Sequence, residues 1–105
     1  RTLVLDDGES TLAFAVCDLL GVPQEVSAEA KRLIEEQSGL PAGQVVITGT
    51  HTHSAGTPFS YNGGSSRLYR PDGELNEYQR FVAKRIADAV QIAINRLEPA
   101  EIGWA

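Results

Sequence analysis

The feature that most constrains this chain is the run Leu12-Ala13-Phe14-Ala15-Val16-Cys17, six apolar residues without an intervening polar one. A strand with one wet face alternates apolar and polar side chains, so an unbroken run of this length predicts a strand covered on both faces, with helices on both sides of its sheet. The run is also far short of the roughly twenty apolar residues that a membrane-spanning helix requires, and no longer one exists in the chain. Upstream, Leu3-Val4-Leu5 leads into Asp6-Asp7-Gly8-Glu9. Asp-Gly between two apolar runs predicts a hairpin, hence two adjacent antiparallel strands.

Downstream, Leu19-Leu20-Gly21-Val22-Pro23 breaks the pattern. Ser27 is a candidate cap for a helix whose buried stripe is Ala30, Leu33, Ile34 and Gln37, and Gly39 and Pro41 close it. Glu29, Lys31, Arg32, Glu35 and Glu36 form its solvated face. Val45-Val46-Ile47 opens a β-branched strand that runs through Thr48, Gly49 and Thr50 into His51-Thr52-His53. From Ser54 to Gly73 the chain is rich in Ser, Gly, Pro and Tyr without periodicity, a loop of a length that is usually functional or disordered and a candidate site wall. Tyr78, Val82, Ile86, Ala89, Ala93 and Leu97 then recur at spacings of three and four, predicting a long amphipathic helix closed by Pro99. Ile102 and Trp104 predict a further strand. The order β-β-α-β-α-β implies an α/β fold, a layered mixed sheet with helices packed on it and right-handed crossovers between its parallel strands.

At 105 residues the chain is one domain, 1–105, able to bury a core without disulfides. Its fourteen acids against nine Lys and Arg leave a net charge of −5, with no basic stripe, which argues against nucleic acid as a partner. The single cysteine, Cys17, lies in the apolar run and reads as a small core residue that indicates no redox compartment. The first residue is Arg1 and there is no methionine, so the natural start is expected to lie upstream.

Both histidines fall in Gly49-Thr50-His51-Thr52-His53-Ser54. Residues two apart on a strand point to the same face, and ligand sites in open α/β sheets lie beyond the carboxyl ends of the strands. His51 and His53 are therefore candidates to converge on one metal ion, zinc being a common partner of neutral imidazole. The bland alternative is a pair brought together by chance at a strand end, since His-x-His alone is a short motif. Gly49 is consistent with a strand that another backbone or a ligand approaches closely. Asp18, ending the apolar strand, can either accept a hydrogen bond from a ligand histidine or cap the following turn. Tyr61 and Tyr69 can line an acyl pocket or pack locally.

Val45-Val46-Ile47-Thr48-Gly49-Thr50-His51-Thr52-His53-Ser54 resembles the signature segment of the neutral/alkaline, non-lysosomal ceramidase family, a hydrophobic strand ending in Gly-Thr-His-Thr-His-Ser. Ala15-Val16-Cys17-Asp18 is similar to that family's preceding strand, and Tyr78 to Leu97 followed by Pro99 to Trp104 to its next helix and strand. The resemblance implies the amino-terminal part of a larger catalytic domain that hydrolyses an N-acyl amide, with a ceramide-like lipid amide as substrate and Zn2+ as cofactor. It further implies His51 as metal ligand and His53 as its catalytic neighbour, at the metal and near the scissile amide and the activated water. A secreted or periplasmic setting is implied likewise. Where the family usually continues Ser-Gly-Pro, this chain reads Ser54-Ala55-Gly56-Thr57-Pro58, which bears on substrate identity. The family completes its site with a further histidine, a glutamate and a tyrosine far downstream, and no third histidine occurs here.

Two other classes are weighed. A phosphoesterase of the polymerase-and-histidinol-phosphatase type also starts a metal site with His-x-His, but on its first strand and with an acid close behind. Here two strands and a helix come first, and the next acid is Asp72. A non-catalytic binding or assembly module with a vestigial histidine pair is the other. An open sheet edge further predicts a homo-oligomer, because unpaired strands recruit partners.

Overall fold

A computed structural model describes residues 1–59, 61–62, 65–66 and 74–103 of the chain. The elements are β1 (Thr2–Asp6), β2 (Thr11–Cys17), α1 (Gln24–Ser38), a 3-10 turn (Ala42–Gln44), β3 (Val45–Gly49), β4 (Tyr61–Asn62), β5 (Ser65–Ser66) and α2 (Glu77–Ile94). β1 and β2 form the expected antiparallel hairpin, with Asp6 opposite Thr11. β3 runs parallel to β2, Ala13 opposite Val45 and Cys17 opposite Gly49. The sheet order β1-β2-β3 makes the apolar run the central strand. An α/β fold with a mixed sheet and two packed helices is thus what the chain forms.

Alternate residues of each strand point inward: Val4 from β1, Ala13 and Ala15 from β2, and Val45 from β3 are buried. They share one core with Val26, Ala30 and Ile34 of α1 and Val82, Ala83, Ile86, Ala87 and Val90 of α2. Burying side chains of the size of Ile34 or Val26 stabilises the fold by about 1.5–3 kcal/mol each. The small inward residues Ala13 and Ala15 let α2, which lies beside α1, approach β1 and β2 closely. The Thr2 hydroxyl donates to Ala89 O at 3.1 Å and ties β1 to α2.

Both helices join the one core, so coverage on both faces does not hold among the described residues. The outward face keeps Leu3, Leu12 and Val46 exposed at 54%, 46% and 51%. An unbroken apolar run reports that both faces of a strand are apolar; it does not report what lies against each. Four further expectations change. Ser27 is not the cap of α1: the helix starts at Gln24 after Pro23, and the Ser27 amide already donates to Pro23 O at 2.9 Å. Proline presets the backbone for entry into a helix, and Val26 rather than Gln37 extends the buried stripe. α2 begins at Asn76 with a capping box and ends near Ile94, leaving Tyr78 and Leu97 exposed. The 54–73 segment contains the short antiparallel pair β4 and β5, with Tyr61 on β4; Tyr69 lies outside the described residues. Glu101–Gly103, including Ile102, is not a strand, and Trp104 lies outside the described residues. Gly39 does close α1, at φ 75° with its amide donating to Glu35 O.

Candidate metal centre

β3 ends at Gly49, two residues before His51. A side chain at Gly49 would bring its Cβ to 2.9 Å from Leu19 O and 3.0 Å from Gly21 Cα, so only glycine lets the Leu19–Gly21 connection pass across the strand end. Sequence reasoning placed a close approach at this residue, and the approaching group is backbone. The end of β2 and that connection then receive the next residues: Thr50 donates its amide to Cys17 O at 2.9 Å, and His51 donates its own to Leu19 O at 3.1 Å.

The histidines therefore sit beyond the strand, not on it. His51 adopts φ 63°, the left-handed region, so strand alternation does not govern where its ring points. A β-carbon in that region costs about 1–2 kcal/mol, which the two hydrogen bonds to the Leu19–Leu20 carbonyls help offset. The second of these is made by the ring: His51 Nδ1 lies 3.0 Å from Leu20 O. A carbonyl only accepts, so Nδ1 carries the proton, and in the neutral ring Nε2 keeps its lone pair. This is the arrangement in which a backbone carbonyl fixes the tautomer of a metal-binding imidazole.

His53 joins it from two residues on. The ring centroids are 5.1 Å apart with planes at 81°, edge to face, and both residues are exposed. Two imidazoles bound tetrahedrally to one zinc ion, about 2.0 Å from each nitrogen, stand about 5 Å apart centre to centre. The spacing fits a shared ion, and it equally fits a direct edge-to-face pair. Among the described residues no group of three or more His, Cys, Asp and Glu is placed to hold a metal ion.

Asp18 takes neither of its expected roles. Its carboxylate receives the Arg1 guanidinium at 3.2 Å, an exposed pair of little energetic weight, and it makes no contact with His51. Cys17 is half-buried against the core, as a small apolar residue would be, and burial pushes its thiol pKa up, away from the reactive thiolate.

The loop that follows the histidines is held by α2, a feature that sequence reasoning missed. Pro58 is fully buried, and its carbonyl accepts a hydrogen bond of 2.8 Å from Gln79 Nε2, itself buried. The Phe59 ring lies against Gly21, where an added Cβ would meet it at 3.0 Å; Gly56 passes under the Tyr78 hydroxyl, with 2.7 Å to an added Cβ. Asn76-x-x-Gln79 is readable from residue spacing as the capping box that starts α2, but it carries no signal for the bond to Pro58.

No family model matches the chain, and no solved structure matches it significantly.

Proposed function

We propose that this chain is the amino-terminal part of a zinc-dependent N-acyl amide hydrolase resembling the neutral/alkaline ceramidases, and that it supplies the His51–His53 segment of the metal centre. The observation that carries the reading is the His51 ring, held through Nδ1 by Leu20 O with Nε2 left to bind, beside His53 at 5.1 Å. The ten-residue segment Val45 to Ser54 supports it by resemblance. Zinc, when bound, supplies a Lewis acid that makes a water nucleophilic at neutral pH and polarises an amide carbonyl.

The chain's own residues do the positioning. His51 offers Nε2 from a backbone pinned by two carbonyls, so its ring pays little ordering entropy on binding. His53 is exposed beside it, where a ring nitrogen can bind the same ion or an N–H can donate to the oxygen of a substrate amide. A ceramide-like lipid amide is the substrate class that the resemblance supports. The remaining ligands belong to sequence beyond this segment.

The test is turnover of N-acyl sphingosines by the native polypeptide with zinc, and by its His51→Ala variant. Loss of at least about a hundredfold is expected on removing a ligand held by such an outer hydrogen bond. Undiminished turnover would reject the assignment. Hydrolysis of phosphate esters in place of amides would move the site to the phosphoesterase class, and absence of stoichiometric zinc uptake would leave a binding module.

A further inference from the structure

The capping box of α2 does more than start a helix. Asn76 Oδ1 accepts from the Gln79 amide at 2.8 Å, and Gln79 Oε1 accepts from the Asn76 amide at 2.9 Å. Glutamate performs this second function as well as glutamine does, and either is common at the position. Gln79 Nε2 is then free to donate, and it donates to Pro58 O at 2.8 Å. A carboxamide satisfies both partners and an ionised carboxylate does not, because Asn76 presents an N–H and Pro58 a carbonyl. Gln79 is 3% exposed, so a lost partner there would stay unsatisfied rather than turn to water.

Pro58 lies five positions after His53, and its own anchor is the far end of the segment whose near end is pinned at Gly49 and His51. The near side is held by Leu19 and Leu20, the far side by Phe59 against Gly21, Gly56 under Tyr78, and Pro58 on Gln79. Of these only the last is a buried polar bond to a different secondary-structure element. A loop with both ends fixed leaves His53 few ways to swing away from His51.

We propose that Gln79 is a positioning residue for the histidine pair: it couples the amino terminus of α2 to the 53–59 loop through Pro58 O, and so sets where the His53 ring stands relative to His51. This rests on the metal-centre reading for its purpose, and on the hydrogen bonds alone for its geometry.

Gln79→Glu separates the two functions of the side chain. Measured at a pH where it is ionised, the carboxylate still accepts the Asn76 amide, so the helix start persists, but it has no proton to donate to Pro58 O. In the intact chain the expected result is faster amide exchange, by tenfold or more, at Phe59, whose amide donates to Thr57 Oγ1 at 3.3 Å within the anchored loop. Cross-relaxation between the His51 and His53 ring protons should fall, while protection in β2 and the centre of α2 is unchanged. Unchanged loop exchange and ring contact in Gln79→Glu, or protection lost equally from loop, β2 and α2, would overturn the proposal. A measurement on the unaltered protein decides the matter even where that variant fails to fold: the Gln79 side-chain amide protons should exchange at least tenfold more slowly than those of exposed Gln37, and equal rates would overturn it.

Zinc affinity, titrated in parallel, reads the metal centre itself. A fall of about 10–100-fold in Gln79→Glu is the range for residues that orient a ligand from behind, and unchanged affinity of a protein that does bind zinc would overturn the positioning role. A protein that takes up no zinc removes the metal-centre reading, while the ring contact and loop exchange still report whether Gln79 places the pair.

Discussion

The two ends of the sheet each contain a residue in the left-handed region, and they fill it differently. At the hairpin end it is Gly8, φ 87°, in the turn between β1 and β2; at the opposite end, beyond the parallel pair β2 and β3, it is His51, φ 63°. Glycine occupies this region without steric cost, whereas a residue with a β-carbon loses about 1–2 kcal/mol there. The hairpin needs only the bend. The other end combines a bend with an imidazole, and Leu19 O and Leu20 O hold both the His51 amide and its ring. A strained residue with its side chain fixed from behind and its front exposed is a pattern that marks functional sites.

The sharpest way to break that comparison is to give the histidine end the residue the hairpin end already has. His51→Gly removes the proposed ligand and should abolish zinc binding, a loss of at least about a hundredfold in affinity by calorimetry. Its effect on folding should be slight. Relief of the strain and loss of the ring bond nearly cancel, so urea denaturation should find it about 1 kcal/mol more stable than His51→Ala, which keeps the strain and loses the bond. An Ala variant as stable as the Gly variant would show that φ 63° carries no cost and that the contrast between the two ends is empty.

Next in size is the glycine beneath the site. Gly49→Val places a branched side chain whose Cβ alone would lie 2.9 Å from Leu19 O. Forcing extra atoms into a packed position costs about 1–3 kcal/mol, and here the atoms that must yield are the backbone that holds His51. Denaturation and zinc titration should therefore fall together. Stability lost with zinc affinity intact would separate the strand end from the site.

The hairpin, the parallel strand and both helices were legible because each has a local signal: Asp7-Gly8, a β-branched run, and apolar residues at spacings of three and four. What covers the outward sheet face was not, since Leu3, Leu12 and Val46 are apolar in sequence whether or not anything packs on them. Ser27 misled because a capping side chain competes with Pro23, four residues earlier, for the helix start. At the site the histidine pair was visible and its support was not. Strand alternation was assumed through His53, but the chain leaves the strand at Gly49, and the ring contact arises from a left-handed turn and a carbonyl thirty-one residues away in sequence. The Gln79 anchor joins residues twenty-one apart, a pairing that no local pattern encodes.

The smallest effect concerns the hairpin end and acid. Asp7 Oδ1 accepts the amides of Ser10 at 2.8 Å and Glu9 at 3.0 Å, and Gly8 donates to Asp6 in the same turn. These bonds favour the ionised carboxylate, chiefly that from Ser10 and then that from Glu9, and hold the Asp7 pKa below its ordinary 3.8. A carboxyl whose pKa is depressed in the folded state contributes stability that is fully present above 3.8 and is lost as pH falls through the lower folded value. Acid should therefore loosen the Asp7–Ser10 turn only below about pH 3.8, with the Asp7 carboxyl carbon titrating in NMR below that of a model aspartate. In Asp7→Asn the turn amides should lose this acid dependence while β3 and the histidine end remain as they were. Titration of Asp7 at or above 3.8 would mean that glycine geometry alone holds the hairpin, and the two ends of the sheet would then differ more than their backbones already indicate.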